Sequence, residues 1–138
     1  MKRLKRSWKQ IATVATATIT MIILLKTVFL IGYVPSESME PTLPKGSFVV
    51  GYRLCSEFKV GDIIIFSHTN KLLVKRIAAV EGEFVVNDGV KQLVPEGSFY
   101  VVGDNLDNSY DSRYWENPFV DRSTVVARVM LKINKNKN

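Results

Sequence analysis

The pattern of apolar and polar residues divides the chain at about residue 34. Residues 11–34 read IATVATATITMIILLKTVFLIGYV, an apolar run whose one charged residue is Lys26. Ile11 to Leu30 alone covers the ~20 residues that a helix rising ~1.5 Å per residue needs to cross the hydrocarbon core of a bilayer. Lys26 lies near the outer end of this stretch, where its amine can reach the interface. The run therefore predicts a transmembrane helix over residues 11–33.

Two other interpretations of the apolar run are weaker. A cleavable secretory signal also has a basic start, but a small-residue site of the A-x-A kind should follow it, and KTVFLIGYVPSES contains none. A buried helix of a soluble protein normally carries a polar face, whereas this run offers only threonines. We therefore expect an uncleaved membrane anchor.

Beyond residue 46 the pattern changes to the short period of β-strands. Seven segments rich in Val, Ile and Phe are separated by turn residues, among them Asp88-Gly89, which suits a two-residue hairpin. These segments are 47–52, 62–67, 72–80, 83–87, 90–93, 98–103 and 123–133. The predicted fold class is mainly β, a small antiparallel domain that is partly closed like a barrel, on a single N-terminal transmembrane helix.

The net charge of +6 lies mostly at the N-terminus. Five positive charges come from Lys2, Arg3, Lys5, Arg6 and Lys9, which leaves +1 for the rest of the chain. Nucleic-acid binding needs basic residues on a folded surface, so it is not expected here. The positive-inside rule instead assigns residues 1–10 to the cytoplasm and the β-rich domain, residues 34–133, to the other side. Residues 134–138 are expected to form a frayed tail.

A turn directly after the apolar run carries two closely spaced serine hydroxyl groups. In VPSESMEPTLPKG, residues 34–46, Ser36 and Ser38 are two positions apart. A serine hydroxyl is a weak nucleophile that needs a base within hydrogen-bond distance. The turn is either a loop without further role or the site of a nucleophile whose base comes from elsewhere in the chain.

A lysine lies within an apolar strand pattern. On the strand predicted for residues 72–80, Lys75 shares one face with Leu73 and Ile77. Burial would disfavour the charged amine and lower its pKa, and a neutral lysine can act as a general base. On the strand pattern alone, a packed stem with a hydrated amine is the simpler interpretation.

The segment GDNLDNSYDSR, residues 103–113, is rich in Asp and Asn. Most such loops cap their own backbone. Here Ser109 could hydrogen-bond a neutral lysine, and Asp111 could pair with Arg113. A calcium-binding loop is the other option, with Asp104, Asp107 and Asp111 as oxygen ligands, but the segment lacks the EF-hand spacing and the two long helices that it would require.

Cys55 is the one cysteine, so no internal disulfide can form. No metal or other cofactor is expected.

Three of these segments together resemble the sequence boxes of type I signal peptidases, the bacterial leader peptidases, which are membrane-bound Ser/Lys proteases that remove signal sequences. PSESMEPTL resembles their nucleophile box, VKRIAAVEGE their lysine box and GDNLDNSYDSR their C-terminal box, in the same order behind an anchor. The resemblance implies a bacterial, single-pass serine endopeptidase in the cell membrane, with signal-bearing preproteins and the lipid bilayer as partners and an acyl-enzyme as intermediate.

The resemblance also implies roles for the matched residues. Ser38 would be the nucleophile and Lys75 the general base. Ser36 would complete the oxyanion hole, and Ser109 would orient the lysine amine. The remaining matches would be structural ion pairs, Asp111 with Arg113 and Asp104 with Arg76, and a residue of the substrate groove, Met39.

The chain departs from the family pattern at three positions. Ala79 replaces a glycine and Glu81 a proline, which puts the backbone of that turn in doubt. Glu37 occupies a variable position, and its carboxylate would repel acidic substrate residues. The chain has a single histidine, His68, which is predicted to be a surface or turn residue. Family members of the endoplasmic reticulum use a histidine where this chain has Lys75, so the resemblance indicates the bacterial type.

Two other functions share some of these features. A self-cleaving Ser-Lys repressor protease would be soluble and carry a DNA-binding domain, and the apolar run argues against it. A catalytically silent homologue could act as a membrane-bound chaperone or scaffold. Its mark would be the loss of Ser38 or Lys75, and both are present.

Overall fold

The structure, a computed structural model, describes residues 2–133, with side chains from residue 8 onward. These described residues form one α-helix, α1 (Lys2–Val28), and nine strands. The strands are β1 (Phe29–Tyr33), β2 (Phe48–Tyr52), β3 (Ile63–His68), β4 (Lys71–Val80), β5 (Phe84–Asn87), β6 (Val90–Leu93), β7 (Ser98–Val102), β8 (Phe119–Asp121) and β9 (Val125–Ile133). The tail predicted for residues 134–138 lies outside the described residues, as does Met1 of the basic segment.

Helix α1 has the length and composition of a membrane span. Its apolar part, Trp8–Val28, is 21 residues long with a mean hydropathy of 1.9, and none of it is buried against the domain. The hydroxyls of four threonines in this part donate to backbone carbonyls one turn earlier, at 2.9 Å, in Thr13, Thr16, Thr18 and Thr20. Their polar groups are therefore satisfied within the helix, as a hydrocarbon environment requires. The predicted N-terminal apolar helix is present.

The helix ends earlier than the sequence predicted. It stops at Val28 rather than at residue 33, and the next five residues form β1. This strand pairs antiparallel with β2 from Phe29↔Tyr52 to Tyr33↔Phe48. Apolar residues continue through the boundary, so hydropathy alone does not mark it. The hydrogen bonds to β2, together with aromatic and branched side chains that suit a strand, decide the change.

The strands confirm the predicted mainly β fold class. Seven of them form an antiparallel sheet in the order β1-β2-β9-β3-β4-β7-β8, and β5 and β6 form a separate hairpin. All seven predicted strands are present, each within two residues of its predicted bounds, whereas β1 and β8 were not predicted. Within the described residues the two edge strands, β1 and β8, do not pair with each other, so the sheet is open rather than a closed barrel.

Buried apolar residues lie on both faces of β3. Ile64 and Phe66 belong to a cluster that includes Trp115, whereas Ile65 packs into a second cluster. That second cluster contains Met39 and Leu43, each 1% exposed. The segment that follows Ser38 is thereby anchored on the sheet, which gives the turn at residues 34–46 a defined position.

Candidate active site

Two cavities meet at the residues that the sequence singled out. The larger has a volume of about 920 Å³ and the smaller about 360 Å³. Both are lined by Ser36, Ser38, Leu73 and Lys75. The fold thus brings the serine turn and the strand lysine to one place. Ser109 lines the larger cavity, and Met39 lines the smaller one although most of its side chain is buried.

The serine turn is built by local backbone hydrogen bonds on an apolar base. Gly46 N donates to Val34 O at 2.8 Å and closes the turn, and Leu43 N donates to Met39 O at 2.8 Å within it. Two hydroxyl oxygens, Oγ of Ser36 and Oγ of Ser38, lie 3.3 Å apart at the top of the turn. The two hydroxyls are therefore close enough to act on one group in the cavity.

Lys75 is buried, so the hydrated-amine interpretation of the strand pattern is wrong. Its side chain is on the inward face of β4 and is 4% exposed. Its Nζ donates to Ser109 Oγ at 2.9 Å. Burial lowers the pKa of Lys75; the nearby Asp111 carboxylate partly opposes this effect, and Arg113 adds to it. A lysine whose pKa is lowered carries a neutral amine, and thus a free lone pair, at a lower pH than usual.

Asp111 organises the polar groups behind the lysine. Its Oδ2 accepts the Ser109 hydroxyl at 2.6 Å and the Gly103 N–H at 2.8 Å, and Arg113 Nε donates to Oδ1 at 2.9 Å. Burial pushes the pKa of Asp111 upward, but the hydrogen bonds from Arg113, Ser109 and Gly103 outweigh burial and lower it. Since the Ser109 proton points to Asp111, the Ser109 oxygen is free to accept from Lys75.

A second ion pair ties the same loop to the opposite face of β4. Arg76 donates to Asp104 through Nε at 2.7 Å and through a terminal nitrogen at 2.6 Å. Burial acts to raise the pKa of Asp104, but the hydrogen bonds from Arg76 outweigh it and lower the pKa. Two of the three aspartates that the calcium alternative would use, Asp104 and Asp111, are thus each engaged by an arginine.

Sequence reasoning missed three residues that join the loop to the serine turn. Asn105 N donates to Ser38 O at 3.0 Å, and its side-chain amide donates to Glu37 O at 3.1 Å. Gly103 leaves no room for a side chain, because a Cβ would overlap both Ser109 and the Ser38 carbonyl. Asn108 donates to the Glu37 carboxylate at 3.2 Å. The signal for Gly103 was its place at the end of an apolar strand, since such a glycine often marks close backbone approach.

The departures from the family pattern have defined structural roles. Ala79 is buried in β4, next to an irregularity in its pairing with β7. The Glu81 carboxylate accepts the Gly97 N–H at 2.7 Å, which ties the turn after β4 to the turn before β7. The carboxylate of Glu37 also pairs with Lys45 at 3.1 Å, so its charge is partly compensated. The turn whose backbone was in doubt is therefore formed.

Comparisons with known proteins find a family model and several relatives that match this chain. The sequence model of the family described as "Signal peptidase, peptidase S26" matches residues 7–89 and 85–133. "Signal peptidase I" of Leptolyngbya laminosa is 30% identical over 136 residues, which cover 72% of this chain and 66% of the relative. "Probable signal peptidase I-2" of Synechocystis is 30% identical over 164 residues, which cover 93% of this chain and 74% of the relative. "Thylakoidal processing peptidase 1, chloroplastic" of Arabidopsis thaliana is 32% identical over 121 residues, which cover 59% of this chain and 36% of the relative.

Proposed function

Because this chain belongs to the signal peptidase family, peptidase S26, we propose that it removes N-terminal signal peptides from exported preproteins as a membrane-anchored Ser/Lys endopeptidase. The observation that carries this proposal is the buried amine of Lys75, hydrogen-bonded to Ser109 in a cavity that it shares with Ser38. Few structural roles would require a lysine amine to be buried beside two serine hydroxyls.

The smaller cavity suits the residues that precede a signal-peptide cut. Such residues are small and apolar, and the cavity is lined on its apolar side by Val34, Met39, Ile65 and Val74. It lies between β1, at the edge of the sheet, and the first half of β4. Strand β7 pairs with β4 only from Arg76 onward. An extended substrate can therefore add to an uncovered strand edge, where main-chain hydrogen bonds supply affinity.

In the proposed first step, Lys75 acts as the general base and Ser38 as the nucleophile. The neutral amine takes the Ser38 proton, and the serine oxygen forms a bond to the scissile carbonyl carbon. The Ser38 N–H and the Ser36 hydroxyl stabilise the oxyanion. When the C–N bond breaks, the Lys75 ammonium returns its proton to the leaving amine, so that an acyl-enzyme and a new N-terminus remain.

In the second step the neutral amine of Lys75 activates a water molecule. The water attacks the ester carbonyl, and the bond to Ser38 Oγ breaks as this oxygen regains a proton. Ser109 keeps the amine in place through both steps, and Asp111 in turn holds the Ser109 hydroxyl. The signal peptide then leaves with a free carboxylate.

The same proposal places the site near the outer surface of the cell membrane. Strand β1 begins at Phe29, directly after the last residue of α1. A catalytic domain joined without a linker must remain close to the bilayer, where a preprotein held by its own apolar segment presents its cleavage site. The basic N-terminal segment would lie in the cytoplasm and the β domain on the other side.

Cleavage of a preprotein by the full-length chain in lipid vesicles tests the proposal. Ser38→Ala and Lys75→Ala should each lower kcat/KM by about 10³-fold or more, because each removes a group that no neighbour replaces. Ser56→Ala and Lys59→Ala are matched controls, since both side chains are exposed and line neither cavity. Binding of the preprotein without cleavage by the wild-type chain would instead support the silent scaffold. Normal cleavage by either site variant would reject the Ser/Lys mechanism.

A further inference from the structure

The larger cavity extends beyond the proposed catalytic groups. From Ser38 and Lys75 it continues along Tyr110, Tyr114, Trp115 and the end of β3 at His68. We propose that this part of the cavity binds the first residues of the mature protein, directly after the cut, and that Tyr110 and Tyr114 make it select apolar side chains there. This inference rests on the proposed signal-peptide cleavage.

The position of the catalytic groups sets the direction of the bound chain. They lie where the two cavities meet. If the smaller apolar cavity holds the small residues before the cut, an extended chain that passes Ser38 must continue into the larger cavity. The two segments of the substrate, signal and mature, therefore occupy different cavities with different linings.

Tyr110 lies immediately beside the catalytic centre. Its neighbour in the chain, Ser109, accepts a hydrogen bond from Lys75. Since consecutive Cα atoms are ~3.8 Å apart, the Tyr110 ring is within reach of the first or second side chain after the cut. The ring is nevertheless 70% exposed, and Tyr114 is 58% exposed. Two large aromatic side chains at the mouth of a cavity thus leave most of their surface uncovered in the absence of a substrate.

Contacts on one side hold this aromatic pair in place. The rings of Tyr110 and Tyr114 stack with centroids 6.1 Å apart and planes 13° apart. The guanidinium of Arg113 lies 5.2 Å from the centre of the Tyr114 ring, and the same guanidinium is bound to Asp111. A tyrosine surface that is already ordered loses little conformational entropy on binding.

Two further aromatic residues of the cavity lining, Trp115 and His68, also stack on each other. Trp115 is 7% exposed, and His68 stacks on its indole with centroids 4.2 Å apart and planes 18° apart. Apart from Lys75, the charged residues that line the cavity are of both signs: Lys71 is basic, whereas Asp107 and Glu116 are acidic. Because these charges oppose each other, the aromatic surface rather than a net charge determines the preference.

Two peptide substrates with the same signal portion test the inference. They differ only at the first two residues of the mature portion, which are Leu-Phe in one peptide and Ser-Ser in the other. We expect the wild-type chain to cleave the apolar peptide with a kcat/KM about tenfold higher, the scale of one good aromatic contact. Tyr110→Ala should bring this ratio close to one, whereas Tyr110→Phe should keep it.

Phe84→Ala is the matched control, because Phe84 is 60% exposed on the separate β5–β6 hairpin. It should leave the ratio unchanged. A wild-type ratio of one, or a tenfold ratio that survives Tyr110→Ala combined with Tyr114→Ala, would overturn the inference. A loss of rate that is equal for both peptides would overturn it too, since it would report a disturbed Ser109. Failure to cleave either peptide would instead remove the proposed function on which the inference rests.

Discussion

The amine of Lys75 lies 2.9 Å from the hydroxyl oxygen of Ser109, and both side chains are buried. The Ser109 hydroxyl donates its hydrogen bond to Asp111, so the Ser109 oxygen can only accept from the lysine. A neutral amine that donates one N–H to Ser109 keeps its lone pair for the cavity, where Ser38 lies. This chain of hydrogen bonds is the physical basis of the proposed general base.

We predict that the rate of cleavage rises with pH. Only neutral Lys75 can accept a proton, and burial lowers its pKa, with Asp111 and Asp104 opposing this shift and Arg113 adding to it. The rate should therefore increase through a pKa below the ordinary 10.5 and then level off. Measurement of kcat/KM for a peptide substrate from pH 5 to pH 10 tests this. A profile without such a rise would exclude Lys75 as the base.

We predict that Lys75→Met stabilises the domain while abolishing cleavage. A lowered pKa in the folded state means that the unfolded chain binds more protons, so the wild-type free energy of unfolding rises with pH up to the ordinary pKa of 10.5. At pH 7 the variant should be more stable by about 1 kcal/mol, because an apolar side chain of similar volume replaces a buried ionisable one.

The stability advantage of Lys75→Met should shrink as the pH approaches the unfolded pKa. Urea unfolding at pH 7 and at pH 9.5 measures both values. Lys59→Met, at an exposed position, should leave the free energy of unfolding unchanged at both pH values. A destabilised Lys75→Met variant would show that the amine contributes more through its hydrogen bond than it costs through burial.

We predict that Asp111→Ala strongly destabilises the domain. The carboxylate is fully buried and accepts hydrogen bonds from Ser109, Gly103 and Arg113. Without it, a backbone N–H and a guanidinium lose their partner, at a cost of ~3–5 kcal/mol. Since the folded-state pKa of Asp111 lies below its ordinary 3.8, this stabilisation is present at neutral pH and is lost as the pH falls through the folded-state value.

Unfolding of the wild-type chain and of Asp111→Ala at pH 7 and at pH 3 measures the difference in their free energies of unfolding. The gap between the two proteins should narrow in acid. Asp107→Ala is the matched control, because that carboxylate is exposed on the same loop. Equal stability of Asp111→Ala and the wild-type chain at pH 7 would contradict the assigned role.

We predict that Gly103→Ala disrupts the site from outside the proposed catalytic residues. An added Cβ would overlap Ser109 and the carbonyl of Ser38, so the loop and the serine turn would have to separate. Forced packing of this kind costs ~1–3 kcal/mol. We expect a lower midpoint of thermal unfolding and, under conditions where the variant is folded, a lower kcat. Wild-type activity of Gly103→Ala would show that the two segments need not touch.

Much of the fold followed from local patterns. The apolar run predicted the helix, and the alternation around Lys75 predicted which side chains of β4 face inward. The strand bounds were predicted closely because β-branched and aromatic residues, separated by turn residues, mark short strands locally. Strand β8, of three residues, was missed since so short a segment has no measurable period. The end of α1 was misplaced because an apolar segment fits either a membrane helix or a strand.

By itself, the sequence determined the apolar helix, the strand-rich domain and the candidate groups Ser38, Lys75 and Ser109. Only the tertiary structure decided that Lys75 is buried, that Gly103 must lack a side chain and that the aromatic pair lines a cavity. The reason is that periodicity reports which face of an element is apolar, whereas burial and distance depend on what packs against that face. Here the packing partner of β4 is a loop that begins at residue 103, and no local pattern in either segment encodes their contact.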